Sequence, residues 1–164
     1  MTIQEMLAAY AESWVDMARQ RDALGALLEQ IPGVGRVFRR IPAAIQSDHC
    51  PALVLVPKPA QLAQETARHL RATRQWELRA FIAPVGTNTS PDELEAEAEP
   101  WLDLLPLVLQ AYPVLRLDDG RGFNVVPLRA SEVQQLTMAE QSYVGGTVEF
   151  QTVTQSVSMI RLAR

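Results

Sequence analysis

The chain has 164 residues, 48% hydrophobic, 21% charged and 6% aromatic, with a formal net charge of −4 and one cysteine. That length supports one domain, spanning 1–164, that buries roughly 70% of the surface of its unfolded chain. The acidic balance and the scarcity of aromatic rings argue against a dedicated or sequence-specific nucleic-acid binder, which needs a basic footprint. A lone Cys50 rules out an intramolecular disulfide and a cysteine zinc cluster, and suits a reducing cytoplasm. Glu5, Glu12 and Asp16 interrupt the N-terminal apolar residues, which is not the pattern of a signal peptide, and no window approaches the ~18 apolar residues of a membrane span.

In chain order, Ile3, Leu7, Tyr10, Trp14, Met17, Leu24, Leu28 and Ile31 recur at helical spacing, broken only by Arg21. They predict one long N-terminal helix, capped by Thr2 with Glu5 and stopped by "IPGVG". Its stripe suits a helix lying on a sheet better than a coiled-coil contact, which needs a longer repeat. "VGRVFRRIP" reads as a strand, and the proline-bounded run 52–56 as a strand covered on both faces. "PAQLAQETARHLRAT" predicts a short helix, with Pro59 in its first turn and Leu62, Thr66 and Leu70 on one face. "RQWELRAFIAP" alternates as a strand, with Trp76, Leu78, Ala80 and Ile82 inward and Gln75, Glu77 and Arg79 outward.

The second long helix is capped by Ser90, with Pro91 at its first position and Asp92 and Glu93 complementing its dipole. Leu94, Ala98, Trp101, Leu105, Val108 and Tyr112 form its stripe, and Pro100 and Pro106 predict a kink or a split. A turn at "DDGRG" leads into a strand, "ASEVQQLTMAEQ" reads as a connector with one helical turn, and the tail from Tyr143 is a strand. The expected fold class is α+β: a mixed or mainly antiparallel sheet with the two helices on one face.

No chemical motif stands out. In "SDHC", His49 and Cys50 point to opposite faces of an extended segment, so a Cys50 enzyme would need its histidine from elsewhere. "ELEAEAEP" reads as a solvated acidic face or a surface for a basic partner, since no Glu-x-x-His accompanies it. "GRG" and "GG" lack the companions of a phosphate loop, so Gly120, Gly145 and Gly146 read as structural: a turn at the first, a bulge or bend at the pair. No cofactor is implied. Arg36, Arg39 and Arg40 cluster, and Arg68, Arg71, Arg74 and Arg79 follow; they read either as ordinary surface charge or as a subunit- or DNA-facing surface.

The order of elements, through "GVGRVFRRIP", "CPALVLVPKP", "RQWELRAFIAPVG", the long helix, "YPVLRLDDGRGFNVVPL" and "SYVGGTVEFQTVTQ", resembles that of phage tail terminator proteins of Mu-like and lambda-like tails. The resemblance spans nearly the whole chain and departs from the family at the helix prolines and at "AQLAQETARHLRAT". It implies a non-enzymatic virion protein of the tail, assembled in the host cytoplasm. Such a protein forms a homo-oligomeric ring, expected to be a hexamer, on the tail tube protein, stops tube growth and meets a head–tail connector protein. Arg36, Arg39, Arg40, Asp118, Asp119 and Arg121 are then the candidate interface residues. The alternatives are another head–tail connector or completion protein, a small cytosolic enzyme using Cys50 with a histidine, or a regulatory ligand-binding α+β domain.

Overall fold

The computed structural model describes residues 2, 3, 5, 15–66, 69–86 and 88–155. In order these form α1 (Met17–Glu29), β1 (Arg36–Phe38), a single 3-10 turn (Ser47–His49), β2 (Ala52–Thr66), β3 (His69–Pro84), α2 (Pro91–Ala111), β4 (Val114–Arg116), β5 (Gly122–Ala130), β6 (Gln134–Met138) and β7 (Gln141–Gln155). The fold is α+β. One sheet runs β1-β2-β3-β7-β5-β4, with β6 alongside the first half of β7. β1 and β2 are parallel and the other described pairs are antiparallel.

Both helices share one face of the sheet, where Leu24, Leu28, Leu105 and Leu109 meet Leu53, Trp76, Leu78 and Phe150 in one buried core. Helix α1 lies against β1, β2 and β4. Since β1 and β4 are the two ends of the strand order, the sheet curls until both edges reach the same helix. A smaller core on the outer face joins Ile45, Val54, Phe81 and Tyr143, and the Tyr143 hydroxyl donates to the Ile45 carbonyl to hold segment 39–50 down.

The long first helix expected from the sequence is corrected at Asp16. Thr2 and Glu5 do exchange capping hydrogen bonds, at 2.6 and 3.1 Å. Asp16, however, is extended and caps a new helix, accepting from the Arg19 N–H at 2.9 Å. Leu7, Tyr10 and Trp14 of the predicted stripe lie outside the described residues. A buried polar chain explains why the backbone is not helical at 15–16. Trp76 Nε1 donates to Thr152 Oγ1 (2.9 Å), which donates to Gln20 Oε1 (2.5 Å). Gln20 Nε2 donates to the Val15 carbonyl (2.8 Å), and the Val15 N–H to Thr154 Oγ1 (3.1 Å). These bonds satisfy groups that sit among apolar side chains and fix the start of α1 on β7.

Three further expectations are corrected. The segment predicted as a short helix after Pro59 forms the outer half of a hairpin, with Leu62 opposite Ala72 and Gln64 opposite Leu70. Its helical spacing is overridden because β3 continues as a strand from His69 and supplies the partner backbone. Helix α2 is unbroken through Pro100 and Pro106, each of which forgoes one backbone bond. The Ser90 box and the buried stripe Leu94, Ala98, Leu102, Leu105 and Leu109 hold it, while Tyr112, placed on that stripe by the sequence, is exposed. The expected connector at 130–141 contains β6, joined to β7 by Ala139 and Glu140 at φ of 50° and 66°. Both central residues of this hairpin turn are left-handed, a geometry usually marked by Asn-Gly.

The glycine pair is explained by space. Neither residue needs a left-handed backbone; Gly33 and Gly120, at φ of 89° and 85°, are the described glycines that do. A Cβ on Gly145 would fall on the Ala80 carbonyl of β3, and one on Gly146 would stand 2.7 Å from both Leu102 methyls of α2. Opposite them, β3 shifts register between Phe81 and Ala83, so the bulge expected from the sequence lies on the partner strand.

Gly145→Ala is therefore expected to cost more stability than Gly146→Ala, because a backbone carbonyl cannot step aside as a leucine side chain can; urea midpoints of the two variants compare them directly. Thr152→Val strands both Trp76 Nε1 and Gln20, and should lower unfolding free energy by about 1–3 kcal/mol in urea titrations.

Candidate functional site

The six candidate interface residues fall into two groups, one on each flank of α1. On the β1 flank, Arg36 is exposed; its guanidinium lies 4.9 Å from the Phe38 ring centre, and Nη1 is 3.4 Å from His49 Nε2. His49 Nδ1 accepts from the Gln46 N–H at 3.2 Å. Arg39 lies across α1 at Gly25, where an added Cβ would stand 2.5 Å from its Nε. Its Nη1 donates to Glu29 Oε1 at 2.8 Å, and its Nε is 3.7 Å from Asp22 Oδ1. Asp22, Gly25 and Glu29 follow helical spacing, so Arg39 clamps β1 to one stripe of α1. Arg40 is exposed beside them.

On the β4 flank, "DDGRG" is the turn between β4 and β5, closed by Leu117 N–H to the Arg121 carbonyl (2.7 Å) and Gly120 N–H to the Leu117 carbonyl (3.0 Å). Gly120 supplies the left-handed residue expected of it. Asp119 accepts from the Arg121 N–H at 2.9 Å and approaches Arg121 Nε at 3.3 Å and Arg19 Nη1 of α1 at 3.7 Å. Asp118 is exposed. The structure thus places Arg39 and Asp119 in contacts within the chain, and leaves Arg36, Arg40 and Asp118 at the surface.

Each flank carries a groove. The β4-side groove holds about 660 Å³, between Ala26 and Leu27 of α1 and Tyr112, Asp118 and Asp119. The β1-side groove holds about 420 Å³ and is lined by Arg21, Arg36, Arg39 and Arg40, with Asp22 as its carboxylate. Arg21 was not among the residues singled out from the sequence. It is 7% exposed, and its Nε has no hydrogen-bond partner among the described residues. Burial, with the charges of Arg40 and Arg74, lowers its pKa from the usual arginine value despite Asp22. The signal for it was present, since Arg21 is the charge that breaks the apolar stripe.

Burial pushes the Cys50 thiol above its usual value, the reverse of an activated nucleophile, and its Sγ lies 4.0 Å from the Gln46 carbonyl oxygen. Among the described residues, no group of three or more His, Cys, Asp or Glu is placed to hold a metal ion. Glu95, Glu97 and Glu99 of α2 are exposed, and a further groove of about 400 Å³ is lined by Glu95, Glu99, Asp103 and Glu132. No helix among the described residues is long and apolar enough to cross a membrane. No family model matches the chain, and no curated protein shows significant similarity to it.

On the outer sheet face, Glu77 stands opposite Glu149 in the β3–β7 register. Arg79 Nε binds Glu77 at 2.5 Å and Lys58 approaches it at 3.6 Å, while Arg129 binds Glu149 at 3.0 Å. Burial alone would raise the Glu77 pKa, but the hydrogen bond and charge of Arg79, aided by Lys58, outweigh it and hold the carboxyl below its ordinary value. A depressed folded-state pKa gives stability that is present in full above the unfolded value of about 4.3 and is lost as pH falls through the folded value. Glu77→Gln is accordingly expected to lower the urea midpoint at pH 7, with the gap to the parent chain closing below about pH 4.

Proposed function

We propose that this chain is a structural virion protein of the tail-terminator kind, a ring-forming cap on the end of a phage tail tube. In this reading the ring, a hexamer, stops tube polymerisation and offers its outer surface to a head–tail connector protein. The observation that carries the reading is the outer half of the β2–β3 hairpin. Beyond Val54, β2 has no strand on its other side among the described residues, and residues 61–64 are exposed on both faces, with Leu62 at 64%.

A long unpaired edge is a template for another chain, and beyond the Ala63–Arg71 pair no third strand backs the hairpin among the described residues, so its tip gains little from its own pairing in water. Pro57, Lys58 and Pro59 blunt the edge close to the core but leave 60–66 open. An arm of this kind finds its partner on a neighbouring copy. The exposed Val126 and Leu128 of β5, and Val114 of β4, supply further apolar area at the far end of the sheet. Unlike surfaces at the two ends make a heterologous contact, which generates a ring when its rotation closes.

Light scattering, with and without assembled tail tubes, tests this. Rings on tube ends are expected, and replacement of 63–71 by a two-residue turn, which keeps the Leu62–Ala72 pair, should leave a folded chain that no longer assembles. A parent chain that stays monomeric at all concentrations and never binds tubes overturns the proposal.

A further inference from the structure

We infer that the arginine groove between α1 and β1 is a socket for carboxylates, and that its occupant is the acidic face of α2 on a second copy of this chain. The inference rests on the ring-forming reading above and names the contact that would join neighbouring subunits.

The argument starts from Arg21. Arg21 is held by α1 at the wall of the groove and is more than nine-tenths buried as a residue, with its Nε buried and unpartnered among the described residues. Arginine does not shed its proton in proteins, so a buried guanidinium without an anion is a standing cost. Its neighbours increase that cost, since Arg36, Arg39 and Arg40 line the same groove and Asp22 is the one carboxylate there. Asp22 is already 3.7 Å from Arg39, and its side chain is 76% exposed. Arg39 Nε also lacks a hydrogen-bond partner among the described residues. Four guanidiniums facing a space of about 420 Å³ therefore present more forked donors than the described part of the chain satisfies.

The same chain carries the complementary surface. Glu95, Glu99 and Asp103 follow one another on α2 at helical spacing, and with Glu132 they line a separate groove. No described salt bridge engages any of these four carboxylates. Glu95 and Glu99 are exposed, one turn apart, and a row of carboxylates on a rigid helix suits a row of guanidiniums. A phosphate backbone would meet the same donors, but the net charge of −4 and the acidic face of α2 repel it. Because socket and acidic row are different patches, the contact is heterologous, as a ring requires.

The test is a charge swap on exposed positions, read by light scattering and by counting capped tubes. Arg36→Glu with Arg40→Glu, and separately Glu95→Arg with Glu99→Arg, should each weaken self-association by about tenfold or more. Mixing the two variants, or combining all four changes in one chain, should restore it, because every contact again pairs opposite charges. Arg21→Met gives an independent readout: the isolated chain should be at least as stable to urea as the parent, while association weakens.

Rings that form on tubes with undiminished affinity in both swapped variants overturn the socket and leave the terminator reading standing. A parent chain that never assembles overturns both. Loss of duplex DNA binding by the Arg36→Glu/Arg40→Glu variant, with self-association intact, makes the groove a phosphate site and also overturns the inference.

Discussion

The close approach of β3 and β7 at Gly145 is the constraint on which the rest of the fold depends. Strands β3 and β7 are the two with neighbours along both sides for most of their length: β2 and β7 flank β3, while β3 on one side and β6 and then β5 on the other flank β7. Where β3 shifts register, the Ala80 carbonyl occupies the volume a side chain on Gly145 would need. At the next residue the missing side chain admits Leu102 of α2 and Ser131, whose N–H donates to the Thr147 carbonyl at 2.8 Å and whose Oγ accepts from the Thr147 N–H at 2.9 Å. Two absent side chains thus let strand, helix and the β5–β6 junction meet at one place.

From that strand the two helices take their positions by different means. Helix α2 is seated by apolar packing, its leucines lying over the bare backbone of Gly146 and over Val148. Helix α1 is seated by Leu24 and Leu28 in the same core and, in addition, by polar bonds from Trp76 through Thr152 and Gln20 to Val15 and by ion pairs along its flanks. Asp22 and Glu29 hold Arg39 on the β1 side, and Arg19 faces Asp119 on the β4 side. Helix α1 therefore closes the curl of the sheet, and its two flanks become the walls of the two grooves.

This arrangement divides charge by task. Residues that turn inward along α1 neutralise one another within the chain, as Arg39 does with Glu29. Residues one step away, Arg36, Arg40 and Asp118, remain at the surface, and Arg21 is drawn inside with its Nε unpartnered among the described residues. A buried guanidinium nitrogen with no partner and an unpaired strand edge, as found among the described residues, both weaken an isolated chain, and both are relieved when another molecule supplies a partner. The building-block reading accounts for both features together.

By itself the sequence determined whatever local chemistry dictates. The capping boxes at Thr2 and Ser90, the turn at Gly120, the alternation of β3 and the inward stripe of α2 follow from short-range spacing, and so does the α+β class. Tertiary structure decided the rest, because long-range partners there outweigh local preference. The stretch from Ala60 has helical spacing, yet residues 60–66 pair with 69–74 of the adjacent strand. Ala139 and Glu140 carry no turn signal, yet pairing of Met138 with Gln141 holds both at positive φ. Among the candidate interface residues, the arginine cluster was legible as a composition, but which arginines are spent within the chain was not. That depends on how the curled sheet sets β1 against Asp22, Gly25 and Glu29, positions that the sequence separates from Arg39 by ten residues or more and the fold brings into contact.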